Sequence, residues 1–439
     1  MVYNLDIKTI IAKKRNKGEL NKEEIRQFVS KYNKEEITQA QAGSLLSYIY
    51  TNGLTEDEII NFALEMANTG EKIDLGEELS SKIVDNHSTG GIGDKVTLLL
   101  MPIIATLGIP VAKISSRGLG VSGGIIDKLE TIPGFNTQIS LDDFKNNIEK
   151  VGVSLIDQTL NIAPAEKKMY RLRNEINCYD SVPIIAASLL SLKIATGSKK
   201  IVFDISCGKW TYIKSKEDAI RLAKLLIKLG KKLDKEVACV ITQMDEPLGY
   251  SFGNTLEVIE TINSLKGQMP KDLGDVVISL GSIIMKLAGQ GNDLKKNGEK
   301  IVEIIRTGKA YEKFKEMVSS QYGSLHYVED VEKLKKADYV VPVYSFGEGN
   351  IEEIDSDIVG SISEYLGAGR ADSKEEVNKT SGIVLTKKIG DTVKIGEILA
   401  YIHSNDENQA INATKILGDA FKLTTKKVKI KPKIMEICK

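Results

Sequence analysis

From Leu5 to about Thr69 the apolar positions keep helical spacing. Ile7, Ile10 and Ile11 fall at i, i+3 and i+4, and Ala42, Leu45, Leu46 and Ile49 repeat the pattern, so each run presents one apolar face. Thr55 precedes Glu56, Asp57 and Glu58, which reads as an N-cap with acid in the first turn, where the helix dipole favours negative charge. After Leu75 the pattern changes to short β-branched runs (Val111 to Ile114, Ile201 to Ile205, Val237 to Ile241) separated by helical stretches such as Val96 to Leu107. Strands alternating with helical crossovers predict an α/β fold with a mostly parallel sheet. Pro183 to Lys193 reads as an apolar helix with proline in its first turn. It interrupts the strands, which predicts that about 163–196 packs with 1–69 in one helical lobe. The larger α/β lobe then takes about 75–162 and 197–335. From about Tyr339, strands and the glycine turns at Gly390-Asp391 and Gly396 predict a small mixed α/β C-terminal domain over about 339–439.

A chain of 439 residues exceeds one ordinary core, in keeping with this division. The 60 Lys plus Arg balance 60 Asp plus Glu, so the composition offers no general affinity for nucleic acid or an anionic membrane. Any anion site must be local. No apolar run approaches the roughly 18 to 20 residues that cross a bilayer, and the N-terminus lacks an export signal. Cys178, Cys207, Cys239 and Cys438 lie far apart with no C-x-x-C, which argues against a disulfide framework or zinc site and fits reduced thiols in a cytoplasm.

The chemistry concentrates in two glycine-rich turns. Asp85-Asn86-His87-Ser88-Thr89-Gly90-Gly91-Ile92-Gly93-Asp94 follows a strand-like Lys82 to Val84 and precedes a helix. Such a turn lets backbone N–H groups approach an anion at the positive end of the helix, with Ser88, Thr89 and Thr97 adding hydroxyls. The second turn, Ser115-Ser116-Arg117-Gly118-Leu119-Gly120-Val121-Ser122-Gly123-Gly124, also follows a strand, and Arg117 supplies a cation. Two such loops on adjacent strands would frame one pocket. His87, in the first loop, reads either as a proton or hydrogen-bond donor beside an anion or as a turn-stabilising residue. On pattern alone, Arg173 reads as a surface arginine and Ser188 as a small helix-packing residue, while His326 and His403 have no functional setting.

The run from Asp85 through Gly118-Leu119-Gly120-Val121-Ser122-Gly123-Gly124-Ile125-Ile126-Asp127-Lys128-Leu129-Glu130 resembles the signature region of the thymidine and pyrimidine-nucleoside phosphorylases. The likeness extends through Ile10-Ile11-Ala12-Lys13-Lys14-Arg15, Met66-Ala67-Asn68-Thr69-Gly70, Pro247-Leu248-Gly249-Tyr250, Leu366-Gly367-Ala368-Gly369-Arg370 and Ile402-His403-Ser404-Asn405. It implies a cytoplasmic homodimer with its active site in the cleft between the helical and α/β lobes. The implied reaction is phosphorolysis of a pyrimidine nucleoside to free base and pentose 1-phosphate. His87 matches the family's catalytic, base-contacting histidine, and Arg173, Ser188 and Tyr170 its substrate side. Ser88, Gly90, Gly91, Thr97 and Ser115 match the phosphate side. The resemblance implies no organic cofactor, but a cation, K+ or another, near Gly93, Lys95, Leu248, Ser251 and Glu260. The fold-level analogy is to anthranilate phosphoribosyltransferase.

Five positions depart from the family pattern. Asn86 replaces a lysine, Val121 a histidine, Ile125 a threonine, Leu192 a lysine and Trp210 a glycine. Each buried charge-assisted hydrogen bond lost costs roughly 1.5 to 3 kcal/mol, so weakened phosphate binding and altered specificity are expected. Lys95 either restores charge to the phosphate site or forms a solvated pair with Asp94, and Trp210 is either a stacking platform for a base or a core or interface aromatic. Beside a pentosyltransferase with altered substrate choice stand a phosphate-independent nucleosidase and a non-catalytic nucleoside-binding protein.

Overall fold

Three of the first four helices begin at reciprocal caps. Asn21, Thr38 and Thr55 each accept the N–H of the residue three along, and Glu24, Gln41 and Glu58 return the bond to the cap N–H. The computed structural model describes residues 6–118, 122–158, 161–370 and 376–439. Val121 lies outside them. Helices Ile7–Arg15, Lys22–Asn33, Gln39–Asn52 and Glu56–Ala67 share one core with Pro164–Glu175 and Val182–Ala195, through Phe28, Leu45 and Phe62 on one side and Met169, Leu172 and Leu190 on the other. Val182–Ala195 is apolar on nearly every face and buried except at the partly exposed Leu192 and Ile194, because the same core continues past it onto Ile201, Phe203 and Ile205 of the sheet.

In that sheet Val84–Ser88, Lys200–Cys207 and Glu236–Gln243 run parallel, and Val111–Ser115 with Val153–Asp157 forms a separate parallel pair. The strand read as Lys82 to Val84 actually runs Val84–Ser88, since Asp85 through Ser88 pair in register with Ile201 through Asp204. His87 is therefore a strand residue, held by the ladder, rather than a residue of a free loop. The other face of the sheet carries the larger core around the Val96–Thr106 helix, buried from Val96 to Ala105.

The C-terminal region holds two antiparallel sheets with helices Ser356–Tyr365 and Glu407–Leu417. Two elements stitch it to the α/β core. Ser251–Phe252 adds to the edge of one C-terminal sheet, and the last strand, Ile434–Cys438, crosses back to pair antiparallel with Glu236–Gln243. Among the described residues no helix is long and apolar enough to cross a membrane, and the four cysteines are free.

Candidate active site

The first glycine turn is built from the strand end upward. Two lysines and a serine from separate segments meet at Asp85, which is buried: Lys193 Nζ lies 2.5 Å from Oδ2 and Lys113 Nζ 3.8 Å from Oδ1, and Ser198 Oγ donates to Oδ2 at 3.1 Å. Lys113 also donates to the carbonyl of Asn86. Burial, helped by the Lys193 charge, brings Lys113 down to about 8 against the pull of Asp85. Two ammoniums against one carboxylate leave a local excess of positive charge. Burial together with Lys193 and Lys113 holds the His87 imidazole well below its ordinary value, so the ring is neutral at pH 7. The amide of Asn86 donates to Thr97 Oγ1 at 3.0 Å, so it positions one of the expected phosphate hydroxyls instead of facing an anion.

Past the strand, Ser88 Oγ accepts the Gly90 N–H at 3.1 Å, and Gly90 has φ +90° with open space where a side chain would start. Beneath lies Asp204, buried, with Thr242 Oγ1 donating to it at 2.6 Å. Burial, reinforced by the Asp94 charge, raises its carboxyl to about 8, although Thr242 and Ser88 hydrogen bonds oppose the shift. Asp204 is a protonated acid at pH 7. Ser115 ends the neighbouring strand, where its carbonyl accepts the Gln158 N–H.

The residues expected on the substrate side gather on the Pro164–Glu175 and Val182–Ala195 helices. Arg173 is buried, not at the surface; its Nη2 lies 3.5 Å from Ser188 Oγ, while Nε and Nη1 have no hydrogen-bond partner among the described residues. Ser188 donates to Glu166 Oε1 at 2.5 Å, and burial pushes the Glu166 carboxyl up against the opposing Ser188 bond and Arg173 charge. Tyr170 stacks under Arg173 at 5.6 Å and shares a 2.5 Å hydroxyl contact with Tyr212. Glu166, Arg173 and Ser188 edge an otherwise apolar cavity of about 10 Å³ among Leu46, Phe62 and Met66, room for one water and far too little for a pyrimidine ring.

The second glycine turn does not present its cation to a pocket. Arg117 donates to both Glu130 oxygens at 2.7 and 2.8 Å and lies 3.3 Å from Asp127. Ile125 packs against the main core, and Leu192 against the apolar cluster containing Ile83 and Ile156. Trp210 is an interface aromatic: it packs on the C-terminal core, where a Cβ on Gly360 would come within 2.9 Å of its ring.

The residues expected around a cation do come together, but Lys95 neither restores charge to the phosphate turn nor forms a solvated pair with Asp94. Its buried Nζ lies 2.7 Å from Glu260 Oε2 and donates to the Leu248 carbonyl at 3.0 Å. Glu260 is buried too, accepting the N–H groups of Tyr250 at 2.8 Å and Ser251 at 3.2 Å. Gly93 abuts the Leu248 carbonyl, 2.2 Å from where its Cβ would be.

Sequence reasoning assigned no role to Lys113, Lys193, Asp85, Glu166 or Asp204. Glu166 had a usable signal, since 166, 170 and 173 share one helix face. The lysines had only their placement inside apolar runs.

Comparison with known proteins fits this geometry. Residues 8–70 match the helical bundle domain of the glycosyl transferase family, 80–311 its a/b domain, and 350–424 the pyrimidine nucleoside phosphorylase C-terminal domain. Among solved structures, anthranilate phosphoribosyltransferase from Thermus thermophilus shares the fold with a TM-score of 0.58 at 18% identity, over 71% of this chain and 99% of that one. A pyrimidine-nucleoside phosphorylase of Geobacillus stearothermophilus is 39% identical over 398 residues, 91% of this chain and 92% of its own. That of Bacillus subtilis is 42% identical over 399 residues, again 91% of this chain and 92% of its own. Identity sustained from the helical lobe through the C-terminal domain makes this chain a member of the pyrimidine-nucleoside phosphorylase family.

Proposed function

We propose that this chain cleaves a pyrimidine nucleoside with inorganic phosphate to give the free base and pentose 1-phosphate, the phosphate lying at Ser88, Gly90, Gly91, Thr97 and Ser115 and the base against Arg173 and Ser188. The observation that carries the reading is Arg173, a buried guanidinium with Nε and Nη1 unpartnered beside the Ser188 hydroxyl, in a relative of known nucleoside phosphorylases. An unpaired buried donor costs roughly 1 to 3 kcal/mol, which a base carbonyl would relieve. The ring itself belongs in the cleft between the lobes, since the cavity below Arg173 is water-sized.

In the reaction a phosphate oxygen bonds to the anomeric carbon, the glycosidic C–N bond breaks, and its electron pair leaves on the base. Neutral His87 serves as an N–H donor to a base carbonyl, while Lys113 and Lys193 supply the charge that steadies phosphate. Protonated Asp204 adds no negative charge beneath the anion. Asn86, Ile125 and Leu192 offer no cation or hydroxyl where the family pattern has one, so specificity is shifted away from uridine and thymidine. The reading includes a cytoplasmic homodimer, checked by light scattering and by fractionation.

A panel of nucleosides incubated with and without phosphate tests it. Release of base with stoichiometric pentose 1-phosphate, only when phosphate is present, is the expected result. Base released equally without phosphate would make the protein a nucleosidase, and binding without turnover would make it a non-catalytic binder.

A further inference from the structure

The cation that the family resemblance places near Gly93, Lys95, Leu248, Ser251 and Glu260 does not fit the residues of this chain. We infer that the Lys95 ammonium is itself the resident cation there, and that this protein neither binds nor needs a monovalent cation to order its first glycine turn.

Three observations converge. The one carboxylate and the Leu248 carbonyl that would hold an ion are already engaged, because Lys95 Nζ lies 2.7 Å from Glu260 Oε2 and 3.0 Å from the Leu248 carbonyl, with the Phe252 ring 5.7 Å away. The charge is balanced: Lys95 answers Glu260, and nearby Lys128 answers Glu257 at 2.6 Å. A metal ion added to two closed pairs would be an uncompensated buried charge, which is costly. The space is also taken, since a Cβ on Gly249 would stand 2.6 Å from Glu260 Oε2 and 2.9 Å from Lys95 Nζ.

The side chain does what a bound ion would do. Lys95 caps the Val96–Thr106 helix that follows the glycine turn, so its reach to Leu248 and Glu260 ties the turn to the segment entering the Asn254–Leu265 helix. Being covalently attached, the charge is present at any salt composition, whereas a bound ion is present only in proportion to its concentration.

The inference borrows only the location of the cation from the family reading, and its test reads melting as well as turnover, so it stands or falls separately from the proposed reaction. The wild type is melted in potassium chloride and in tetramethylammonium chloride at equal ionic strength, together with Lys95→Thr, which removes the ammonium and leaves room and a hydroxyl oxygen. The expected result is an unchanged melting temperature and rate for the wild type in the two salts. The variant should melt lower in tetramethylammonium and regain stability saturably with potassium, by on the order of 5 °C at a hundredfold excess over its dissociation constant. A saturable potassium response of the wild type would overturn the inference, and so would a folded variant indifferent to potassium. Lys95→Ser takes the place of Lys95→Thr if the latter does not fold, and the wild-type titration decides on its own if neither does.

Discussion

The two glycine turns look alike in sequence and do opposite things. In the first, Gly90 faces open space beyond a strand end that carries the Ser88 hydroxyl, a neutral histidine and, at Asp85, surplus lysine charge. In the second, every glycine described is packed. A Cβ on Gly118 would meet the Gly124 N at 2.4 Å, and one on Gly123 the Asn254 Oδ1 at 2.0 Å. Gly123 donates to the Ala368 carbonyl, while Arg370 reaches from the C-terminal domain to the Gly118 carbonyl and pairs with buried Asp127 at 2.7 Å. At Gly90 the missing side chain leaves an open approach, although Gly93 of the same turn packs on the Leu248 carbonyl, whereas in the second turn the missing side chains admit a neighbouring domain. Glycine density alone marks close backbone approach, not what approaches.

The largest break should come at the clasp. Arg370→Ala leaves Asp127 buried beside fewer counter-charges, and losing one partner of a buried pair costs about 3 to 5 kcal/mol. A melting temperature lowered by roughly 5 °C or more is expected, because 1 kcal/mol moves a domain of this size by about 2 to 4 °C. Next comes a matched pair of glycine changes. Gly123→Ala forces a clash worth about 1 to 3 kcal/mol and should be read in stability. Gly90→Ala keeps a left-handed φ at a cost of about 1 to 2 kcal/mol but puts its methyl on the anion side, so it should be read in phosphate KM, raised on the order of tenfold. Equal effects of the two on stability and on KM would erase the contrast.

What was legible before the structure was local. The Thr55 cap, the helix opening near Pro183 and the α/β alternation depend on neighbours in sequence, and each stands where the pattern put it. The site's charge was not legible, because Asp85, Lys113 and Lys193 meet only once Val84–Ser88 and Val111–Ser115 lie under the Val182–Ala195 helix. The direction of Lys95 was hidden for the same reason: its acceptors, Leu248 and Glu260, lie more than 150 residues away along the chain. The short Ile434–Cys438 strand carries no sign that it returns to the core sheet. Family resemblance points to His87, Arg173 and Ser188, but it takes the fold to reveal that Asn86 serves Thr97 and that Arg117 is taken up by Glu130.

The open turn also has a pH signature that the clasped one lacks. The Asp204 carboxyl sits at about 8 against an ordinary 3.8, so between those values the folded state holds a proton that the unfolded chain has lost. Asp204 therefore contributes stability that is lost as pH rises from about 4 to 8. Lys113, at about 8 against 10.5, carries the converse penalty, present below 8 and relieved as pH climbs towards 10.5. Above about 8, Asp204 turns negative while Lys113 turns neutral, and both changes oppose phosphate, so its KM should rise there. Asp204→Asn should flatten the melting temperature across pH 4 to 8 and soften the rise in KM. A variant with the wild-type pH dependence of both would show that Asp204 is not the titrating group.

The smallest effect is expected at Arg117, and it sharpens the comparison most. By position in the sequence this arginine is as good a phosphate ligand as any residue of the first turn. In the structure its guanidinium is bonded twice to Glu130, donates also to the buried Asp127 Oδ1 at 3.3 Å, and is 39% exposed at the rim of the Asp127–Arg370 pair. An exposed ion pair contributes about 0 to 1 kcal/mol, so Arg117→Ala should lower the melting temperature by at most about 2 to 4 °C. If Arg117 instead held phosphate, deleting its charge-assisted bond would remove roughly 1.5 to 3 kcal/mol of binding, on the order of 10- to 100-fold in KM. The two assignments are therefore separated by phosphate kinetics on one variant. A KM unchanged within about twofold, which is under 0.5 kcal/mol, is the outcome for an arginine that braces the clasp, and a rise of tenfold or more would return the second turn to the phosphate site.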